Sequence, residues 1–572
     1  MTKINLEKII LLIFFVIILS LGPGALFDHK LKHDFPFAYG ASDAFQHQIR
    51  AESIKDMGNF RNEAQYLVKG METVVGVYPP VVYHLAVIFS YASGIEVYDS
   101  IYFIVVFFSI IAGFVMYFII RNFNKTVALL SLPISILIFS FPVSLGFLWG
   151  HWPSVLSQSF LILFAWSIMR TNLEKSFLII ALSLSAIALT HTSEAIFALI
   201  FLALFFGIKI LVKKFNKDDI KNAAIFLGVF FVISFYYLVI FQNTWAKSQS
   251  YSFSIDPIWV GNPTFYIAGF GLLLMPIILG IIFSLSKLKG IHVSLIFAFA
   301  MLLGGFLNYI GFQLRSFQIR FFWPIYLSVF VGFGIYILIK VVVKRWNPVY
   351  TIAAFSILTI LVLGLIPNAV KFQNSLQIPF ENVPFSADLF KSILKSVPQN
   401  NARTSQGIMD PYHWESLTWI SDNAEPNAII YFLYGDIYDQ DALLRNSKRV
   451  HRQVDPGDFI KALQERKIKR EYISDLPGDT GGGTPIRNSF FGFENAFKDK
   501  PEEFFYGPRD ICTFDYLIFD KVSRQEVLAQ YNILIAQELL KKEFINDVFN
   551  NQFVVILKNN NVGADCVEER SF

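Results

Sequence analysis

Long apolar runs alternate with short polar segments over the first two thirds of the chain. Each run is close to 20 residues long and contains almost no charged side chain, as a helix that crosses a bilayer requires. The runs occupy residues 8–26, 100–120, 126–145, 154–170, 176–192, 193–212, 221–241, 264–285, 291–312, 321–340 and 348–366. The pattern therefore predicts a polytopic α-helical membrane protein with about eleven spans.

A shorter apolar stretch, Val81–Ser93, lies between Pro79-Pro80 and Gly94. As a helix it would reach only about 20 Å, less than the roughly 30 Å of hydrocarbon in a bilayer. We predict a re-entrant or interfacial helix. The alternative, in which this helix crosses the membrane and the N-terminus lies outside, stays open.

The hydropathy pattern changes near residue 370. We predict a transmembrane domain over 1–370, with 27–99 as its first long loop, and a polar α/β domain over 371–572. Within that domain we predict strands at Ala428–Tyr434 and Phe514–Phe519 and helices at Asp455–Lys467 and Arg524–Lys542. Residues 544–549 and 553–558 flank Asn550-Asn551, which is typical of a hairpin.

Composition excludes an ordinary soluble globule. Of the 572 residues, 54% are hydrophobic and 16% are charged, against about 25% charged in soluble domains. The net charge of +4 is small, and the basic residues lie between apolar runs, so no nucleic-acid partner is expected. Cys512 and Cys566 would form one disulfide if their domain faces an oxidising compartment, and the sequence leaves their pairing open.

The distribution of basic residues predicts the orientation. The alternate short loops hold Lys247, Arg315 and Arg320. The other loops and the N-terminus hold Lys3, Lys8, Arg121, Lys125, Arg170, Lys175, Lys209, Lys213, Lys214, Lys217, Lys221, Lys287, Lys289, Lys340, Lys344 and Arg345. Because basic loops stay in the cytoplasm, we predict a plasma-membrane protein with a cytoplasmic N-terminus and an extracytoplasmic 371–572.

Unusual polar residues gather at the predicted outer face, in segments 42–52, 150–153, 190–194 and 313–320. Ionisable groups near hydrocarbon are costly and are therefore functional candidates. Asp43 and His47 are four residues apart and would share a helix face, where they could bind a divalent metal ion or act as a base and its orienting group. A helix cap and a solvated histidine are the alternative.

His191 and Glu194 lie at a tight turn between two spans, where Glu194 is a candidate metal ligand or a cap of the second helix. His151 is a further candidate ligand, and Trp152 a candidate substrate contact; both would otherwise belong to an interfacial aromatic belt. Arg315 and Arg320 present guanidinium groups that match phosphate oxygens. Their alternative is snorkelling to lipid headgroups.

The order of these parts resembles the GT-C superfamily of integral-membrane glycosyltransferases. The resemblance rests on the early acid Asp43, on Tyr78-Pro79-Pro80 before a short helix, on residues 189–194 (LTHTSE), and on residues 419–428 (WISDNAEPNA). It implies a lipid-linked sugar donor, a polyprenyl phosphate or diphosphate, used at the extracytoplasmic face. It also implies that Asp43 is the catalytic base or a metal ligand.

The chain departs from that family in three places, one of which is that 371–572 has no clear match to the substrate-sequon motif of the oligosaccharyltransferases. Asp43 has no adjacent Glu, and segment 146–153 offers His151 instead of an acidic pair. These differences argue against oligosaccharyl transfer to Asn.

From the residues we predict an inverting transfer. Asp43 removes a proton from the acceptor, Arg315 and Arg320 hold the leaving phosphate, and His191 and Trp152 contact substrate. Asp43, His47, His151 and Glu194 are the candidate metal ligands. The acceptor is a glycan, a lipid or a protein. The alternatives are a lipid or sugar-lipid transporter and a non-catalytic scaffold of the same fold.

Overall fold

The protein was analysed as a computed structural model. It describes residues 6–27, 30–40, 42–58, 63–64, 74–75, 78–139, 143–170, 177–248, 273–307, 321–343, 348–363, 409–433, 445–453, 514–521, 533, 536–537 and 539–563. The chain divides into two compact units. We call Met1–Lys32 with Val77–Asn400 the helical unit, and His33–Gly76 with Asn401–Phe572 the sheet unit.

The helical unit contains apolar helices separated by short turns. They are α1 Leu6–Phe27, α3 Val81–Ser93, α4 Val97–Phe123, α5 Lys125–Ser131, α6 Leu145–Leu148, α7 Trp152–Arg170, α8 Phe177–Ala188, α9 Thr192–Leu211, α10 Lys217–Ser248, α11 Leu274–Leu285, α12 Val293–Gly304, α13 Trp323–Tyr326, α14 Ser328–Val342 and α15 Pro348–Leu363. The unit is mostly helical, as predicted, and the number of membrane spans stays a prediction.

Among the described residues, four helices are long and apolar enough to cross a bilayer: Val97–Phe123, Trp152–Arg170, Thr192–Leu211 and, within α10, Lys217–Val239. The predicted short helix has the bounds Val81–Ser93, between Pro80 and a left-handed Gly94. The predicted span 126–145 is not one continuous α-helix, since α5 passes into a 3-10 segment, Leu132–Phe139. Pro133 has no amide hydrogen to donate to the preceding turn, which accounts for the change.

Helices α1 and α4 pack antiparallel. The Glu7 carboxylate, at the start of α1, accepts a hydrogen bond of 2.6 Å from the Tyr117 hydroxyl and pairs with Arg121 near the end of α4. About two turns further into both helices, the rings of Phe14 and Phe114 meet edge to face at 5.7 Å. The start of α1 and the end of α4 therefore lie at the same end of the helical unit.

Glycines let α11 and α14 approach closely. A Cβ at Gly280 would lie 1.9 Å from the Phe330 carbonyl oxygen, and one at Gly334 would lie 2.0 Å from the Pro276 carbonyl oxygen. Small residues that bring backbones together are a usual source of helix association in membranes, where burial of apolar surface gives little.

The sheet unit contains α2 Ser42–Met57, β1 Glu63–Ala64, β2 Val74–Val75, α16 Pro411–Asn423, β3 Ile429–Leu433, β4 Val450–Gln453, β5 Tyr516–Asp520, β6 Ile545–Asn550 and β7 Val554–Asn559. Its larger sheet has the order β4-β3-β5-β7-β6. Strands β4, β3 and β5 are parallel, and β7 is antiparallel to β5 and β6. The two predicted strands and the predicted hairpin are present.

The core of the sheet unit lies against β5, the central strand, every residue of which is buried. Leu517, Phe519 and Leu557 pack with Ala536 and Leu539. The predicted helix Asp455–Lys467 and both cysteines lie outside the described residues, as does most of Arg524–Lys542.

Candidate active site

A buried carboxylate lies at the turn between α8 and α9. The side chain of Glu194, only 3% exposed, pairs through Oε2 with Nδ1 of His191. Its other oxygen accepts a hydrogen bond of 2.6 Å from the Ser154 hydroxyl of α7. The structure thus brings together the predicted residues His191 and Glu194.

The local sequence explains this pairing. His191 is the residue before the first turn of α9 and has an extended backbone, so that Glu194 falls three residues later at the end of that turn. In a capping box the residue at this third position reaches back toward the start of the helix. Here Glu194 reaches back to the imidazole. With the proton on Nδ1, His191 donates to the carboxylate and its Nε2 becomes a hydrogen-bond acceptor.

The turn is anchored to neighbouring elements. The amide of Val81, at the start of α3, donates to the Leu189 carbonyl at 3.0 Å. Ser157 of α7 donates to the Ile187 carbonyl, also at 3.0 Å. The short helix α3 therefore begins beside the turn that carries His191.

A second polar side chain of α7 lies on the same helix face as Ser154. Gln158 lies one turn after Ser154 and is buried. Its Oε1 accepts hydrogen bonds from the Phe322 amide at 2.8 Å and from the Tyr326 hydroxyl at 3.3 Å. Gln158 thus fixes the start of segment 321–326 beside α7.

Arg315 and Arg320 lie outside the described residues. The segment that follows Arg320 begins with Phe321, which is buried. Its ring lies 5.6 Å from that of Phe197 on α9, one turn after Glu194. The backbone next to Arg320 in sequence is therefore held against the helix that carries the buried carboxylate.

His151 and Trp152 lie at the start of α7. His151 is half-buried, and its ring is perpendicular to that of Trp149 at 6.2 Å. Trp152 is fully buried, and its indole N–H donates to the Phe147 carbonyl at 2.7 Å. The Trp152 ring packs 5.8 Å from that of Tyr102. Its predicted role in substrate binding stays a prediction.

Asp43 and His47 lie one turn apart on α2, in the sheet unit. Asp43 is half-buried in the first turn of the helix, and His47 is buried. On the same helix, the buried amide of Gln48 donates to Asn446 at 2.8 Å. Asp56, near the end of the helix, pairs with Lys448 at 2.6 Å. The helix that carries the predicted base is thus fastened to residues of the C-terminal part of the chain.

The sheet unit also contains a buried ionic cluster at the start of α16. Asp410 caps that helix by accepting hydrogen bonds from the backbone amides of Tyr412 and His413. The His413 ring donates from Nδ1 to Asp410 at 2.6 Å, and its Nε2 lies 3.4 Å from a carboxylate oxygen of Asp520 on β5. Burial alone would lower the pKa of His413, but the charge of Asp520 and the hydrogen bonds to both carboxylates raise it to about 9.

The described residues do not fit a metal site whose ligands are all protein side chains. Among them, no group of three or more His, Cys, Asp or Glu is placed to hold an ion. Of the predicted ligands, Asp43 and His47 belong to the sheet unit and His151 and Glu194 to the helical unit. Both oxygens of Glu194 contact protein partners. The metal-ligand set stays a prediction, and no step is derived through a metal.

Sequence reasoning missed Ser154, Gln158 and Asp410 with His413. The first two stand four residues apart at the start of a mostly apolar run, a spacing that places both on one helix face. The Asp410-Pro411 pair was a visible signal as well, because Asp before a Pro is typical of a helix start.

No family model and no curated protein matches this sequence. By structure, the chain is similar to ArnT from Cupriavidus metallidurans bound to undecaprenyl phosphate, with a TM-score of 0.51 and 12% identity over 96% of this chain and 97% of that one. It is also similar to the Archaeoglobus fulgidus oligosaccharyltransferase in complex with Zn and sulfate, with a TM-score of 0.51 and 13% identity over 92% of this chain and 71% of that one. At such identities the likeness shows the fold. The chain therefore has the fold of these two proteins.

Proposed function

We propose that this protein is a membrane glycosyltransferase that moves a sugar from a polyprenyl-phosphate donor to a glycan, lipid or protein acceptor. The reaction takes place at the extracytoplasmic face of the plasma membrane. The N-terminus lies in the cytoplasm, and residues 371–572 lie outside.

One observation carries the proposal: a buried carboxylate paired with a histidine at a helix turn, in a chain with the GT-C fold. Glu194 is held by His191 and Ser154. A buried charge is expensive unless it is paired and hydrogen-bonded, and in a membrane protein it is a functional candidate by default.

The donor class is supported by charge. In the predicted topology, Arg315 and Arg320 lie in the set of short loops that holds only one other basic residue, Lys247. The segment directly after Arg320 packs on α9, as the contact between Phe321 and Phe197 records. A guanidinium offers paired N–H donors to phosphate oxygens. The similar ArnT structure holds undecaprenyl phosphate.

The proposed reaction is a single displacement. The acceptor hydroxyl oxygen attacks the anomeric carbon while the bond from that carbon to the phosphate oxygen breaks. Asp43 takes the hydroxyl proton, and polyprenyl phosphate leaves with the electron pair, its charge held by Arg315 and Arg320. One displacement inverts the configuration at the anomeric carbon.

The remaining predicted residues hold the donor sugar in this scheme. Nε2 of His191 accepts from a sugar hydroxyl when Glu194 fixes the proton on Nδ1. Trp152 is the second proposed contact with the substrate.

The test is turnover by the purified full-length protein in nanodiscs with a panel of radiolabelled polyprenyl-phosphate sugars, with and without EDTA. Transfer or release of labelled sugar supports the proposal, and loss of turnover with EDTA would indicate a metal ion. Tight donor binding without turnover would instead support a lipid transporter. Absence of both binding and turnover would support a scaffold of the same fold.

A further inference from the structure

A groove of about 390 Å³ lies along the exposed face of α16, in the sheet unit. Two rows of side chains four residues apart line one wall, and Phe549 of β6 lines the other. The rows are Trp414, Thr418 and Asp422, and Glu415, Trp419 and Asn423. The volume falls within the roughly 300–1,000 Å³ of small-molecule sites.

Contacts with the sheet hold the aromatic side chains of the groove in place. The Trp419 ring packs 5.7 Å from Phe549 and 6.3 Å from Tyr516, both on the sheet. A register shift in β6 between Asp547 and Phe549 precedes the contact. Bulges of this kind turn a side chain to a new direction.

The polar rim is held in place as well. The Asn423 amide donates to the Trp419 carbonyl at 2.8 Å, which fixes its orientation. The Glu415 carboxylate accepts from the Asn551 amide at 3.0 Å. Asp422 lies exposed at the same rim.

Taken together, these contacts point to a sugar. We propose that this groove binds a neutral pyranose ring of a glycan. The C–H face of a pyranose is apolar and stacks on an indole ring, while its hydroxyls donate to carboxylates and accept from amides. The rim supplies two carboxylates and one amide around two indoles.

The charge of the groove argues against an anionic lipid or a phosphate as its ligand. Its lining includes Glu415 and Asp422 and no Lys or Arg among the residues that the structure describes. An anionic lipid surface or the phosphate of the donor would be repelled there. A glycan without acidic sugars meets no such penalty.

If the proposed transferase function holds, the groove recognises the acceptor, and the acceptor carries neutral sugars. This assignment of the acceptor rests on that function. The binding of a glycan to the groove does not.

The experiment measures binding without any donor. Full-length protein in phosphatidylcholine nanodiscs, free of sugar-based detergent, is titrated with mannobiose, cellobiose and chitobiose and followed by saturation-transfer NMR. We expect at least one disaccharide to bind. Trp414→Ala should weaken that binding about tenfold, which equals about 1.4 kcal/mol.

Two further variants protect the result against a folding defect. Asp422→Asn keeps the shape of an exposed side chain and should weaken binding by several-fold. Glu543→Gln removes an exposed carboxylate elsewhere in the sheet unit and should leave binding unchanged. No binding by any disaccharide, or equal affinities in all four proteins, would overturn the proposal.

The groove and the transferase fail in different ways. Turnover of the labelled donor without disaccharide binding would refute the groove alone, and disaccharide binding without turnover would refute the transferase alone. Brominated lipids provide a last control. The emission of Trp414 is the fluorescence that is lost in Trp414→Phe. If brominated lipids quench that emission, this face lies in the membrane and the glycan assignment is wrong.

Discussion

At the scale of single residues, Glu194 is the side chain whose environment demands most explanation. It is almost fully buried, and its two oxygens meet His191 and Ser154. Its effect on chemistry would pass through His191, because the carboxylate selects which ring nitrogen carries the proton. Glu194 is therefore a positioning residue in the proposed reaction.

Glu194→Gln tests this role. Glutamine can keep the hydrogen bond from Ser154 but loses the negative charge that holds the proton on Nδ1 of His191. We expect kcat for sugar transfer to fall about 100-fold, with a changed pH profile and little change in melting temperature. Glu96→Gln, at an exposed carboxylate before α4, is the matched control and should keep full activity. A wild-type kcat and pH profile in Glu194→Gln would show that the carboxylate only supports the fold.

The sequence predicted the ionisable members of this cluster and not the others. His191 and Glu194 stand out because charge is rare near apolar runs. Ser154 and Gln158 are polar side chains within a span, and such residues commonly satisfy a local carbonyl. Only the packing of α7 against α9 and segment 321–326 shows what they bind.

At the scale of elements, the first turn of α16 contains a buried ionic cluster. His413 lies between Asp410 and Asp520, and this cluster ties the first turn of the helix to the central strand β5. Removing one partner of a buried pair leaves an uncompensated charge and costs about 3–5 kcal/mol. The groove on α16 depends on this attachment.

The His413 cluster predicts how stability of the sheet unit depends on pH. The pKa of His413 is raised to about 9 in the folded protein from 6.5, so its stabilising effect is complete below pH 6.5 and is lost as the pH rises through about 9. Hydrogen exchange of strands β5 and β7 should accelerate between pH 7 and pH 10 beyond its intrinsic pH dependence. His413→Gln should exchange faster at pH 6.5, and its difference from wild type should shrink toward pH 10. A difference that stays constant with pH would contradict the assignment of charge.

Helix α2 depends on a buried amide for its position. Gln48 donates to both Asn446 and Glu52 at 2.8 Å. Gln48→Leu removes both hydrogen bonds from a buried site and should lower the free energy of unfolding by about 1–3 kcal/mol. Thermal unfolding of the full-length protein measures the change, and Gln46→Leu on the same helix is the control. Equal melting temperatures for the two variants would show that α2 is held by other contacts.

Elements bounded by strong local signals were predictable. Pro79-Pro80 and Gly94 delimit α3, and Asn550-Asn551 marks the turn of the hairpin between β6 and β7. The change from α-helix to 3-10 helix after Ser131 was not predicted, because hydropathy alone does not register the amide hydrogen that Pro133 lacks.

At the scale of the whole molecule, the pairing of α1 with α4 bears on the topology. The start of α1 and the end of α4 meet through Glu7 and Arg121. If each of these helices crosses once, the chain between them begins and ends on one side of the membrane. Helix α3 then does not cross, which favours the reading with a cytoplasmic N-terminus.

Single-cysteine labelling tests this topology. In a background with Ser at positions 512 and 566, Glu96→Cys should react with a membrane-impermeant maleimide added to intact cells. Lys214→Cys should react only after the membrane is permeabilised. Labelling of both positions in intact cells would contradict the topology.

The division into units follows from contacts that no local pattern contains. The first long loop and the C-terminal part share one compact unit, joined through Gln48 with Asn446 and Lys448 with Asp56. Contacts between residues nearly 400 positions apart produce no periodic pattern in the sequence. The predicted boundary at residue 370 rests on hydropathy alone and stays a prediction.

The central claim is that Asp43 removes the acceptor proton in a glycosyl transfer. The most direct measurement compares Asp43→Asn with Asp34→Asn, an exposed carboxylate of the same loop, in the transfer assay with polyprenyl-phosphate sugars. The account predicts that Asp43→Asn loses at least about 100-fold in kcat while still binding donor, and that Asp34→Asn matches wild type. Equal turnover by the two variants would contradict the account.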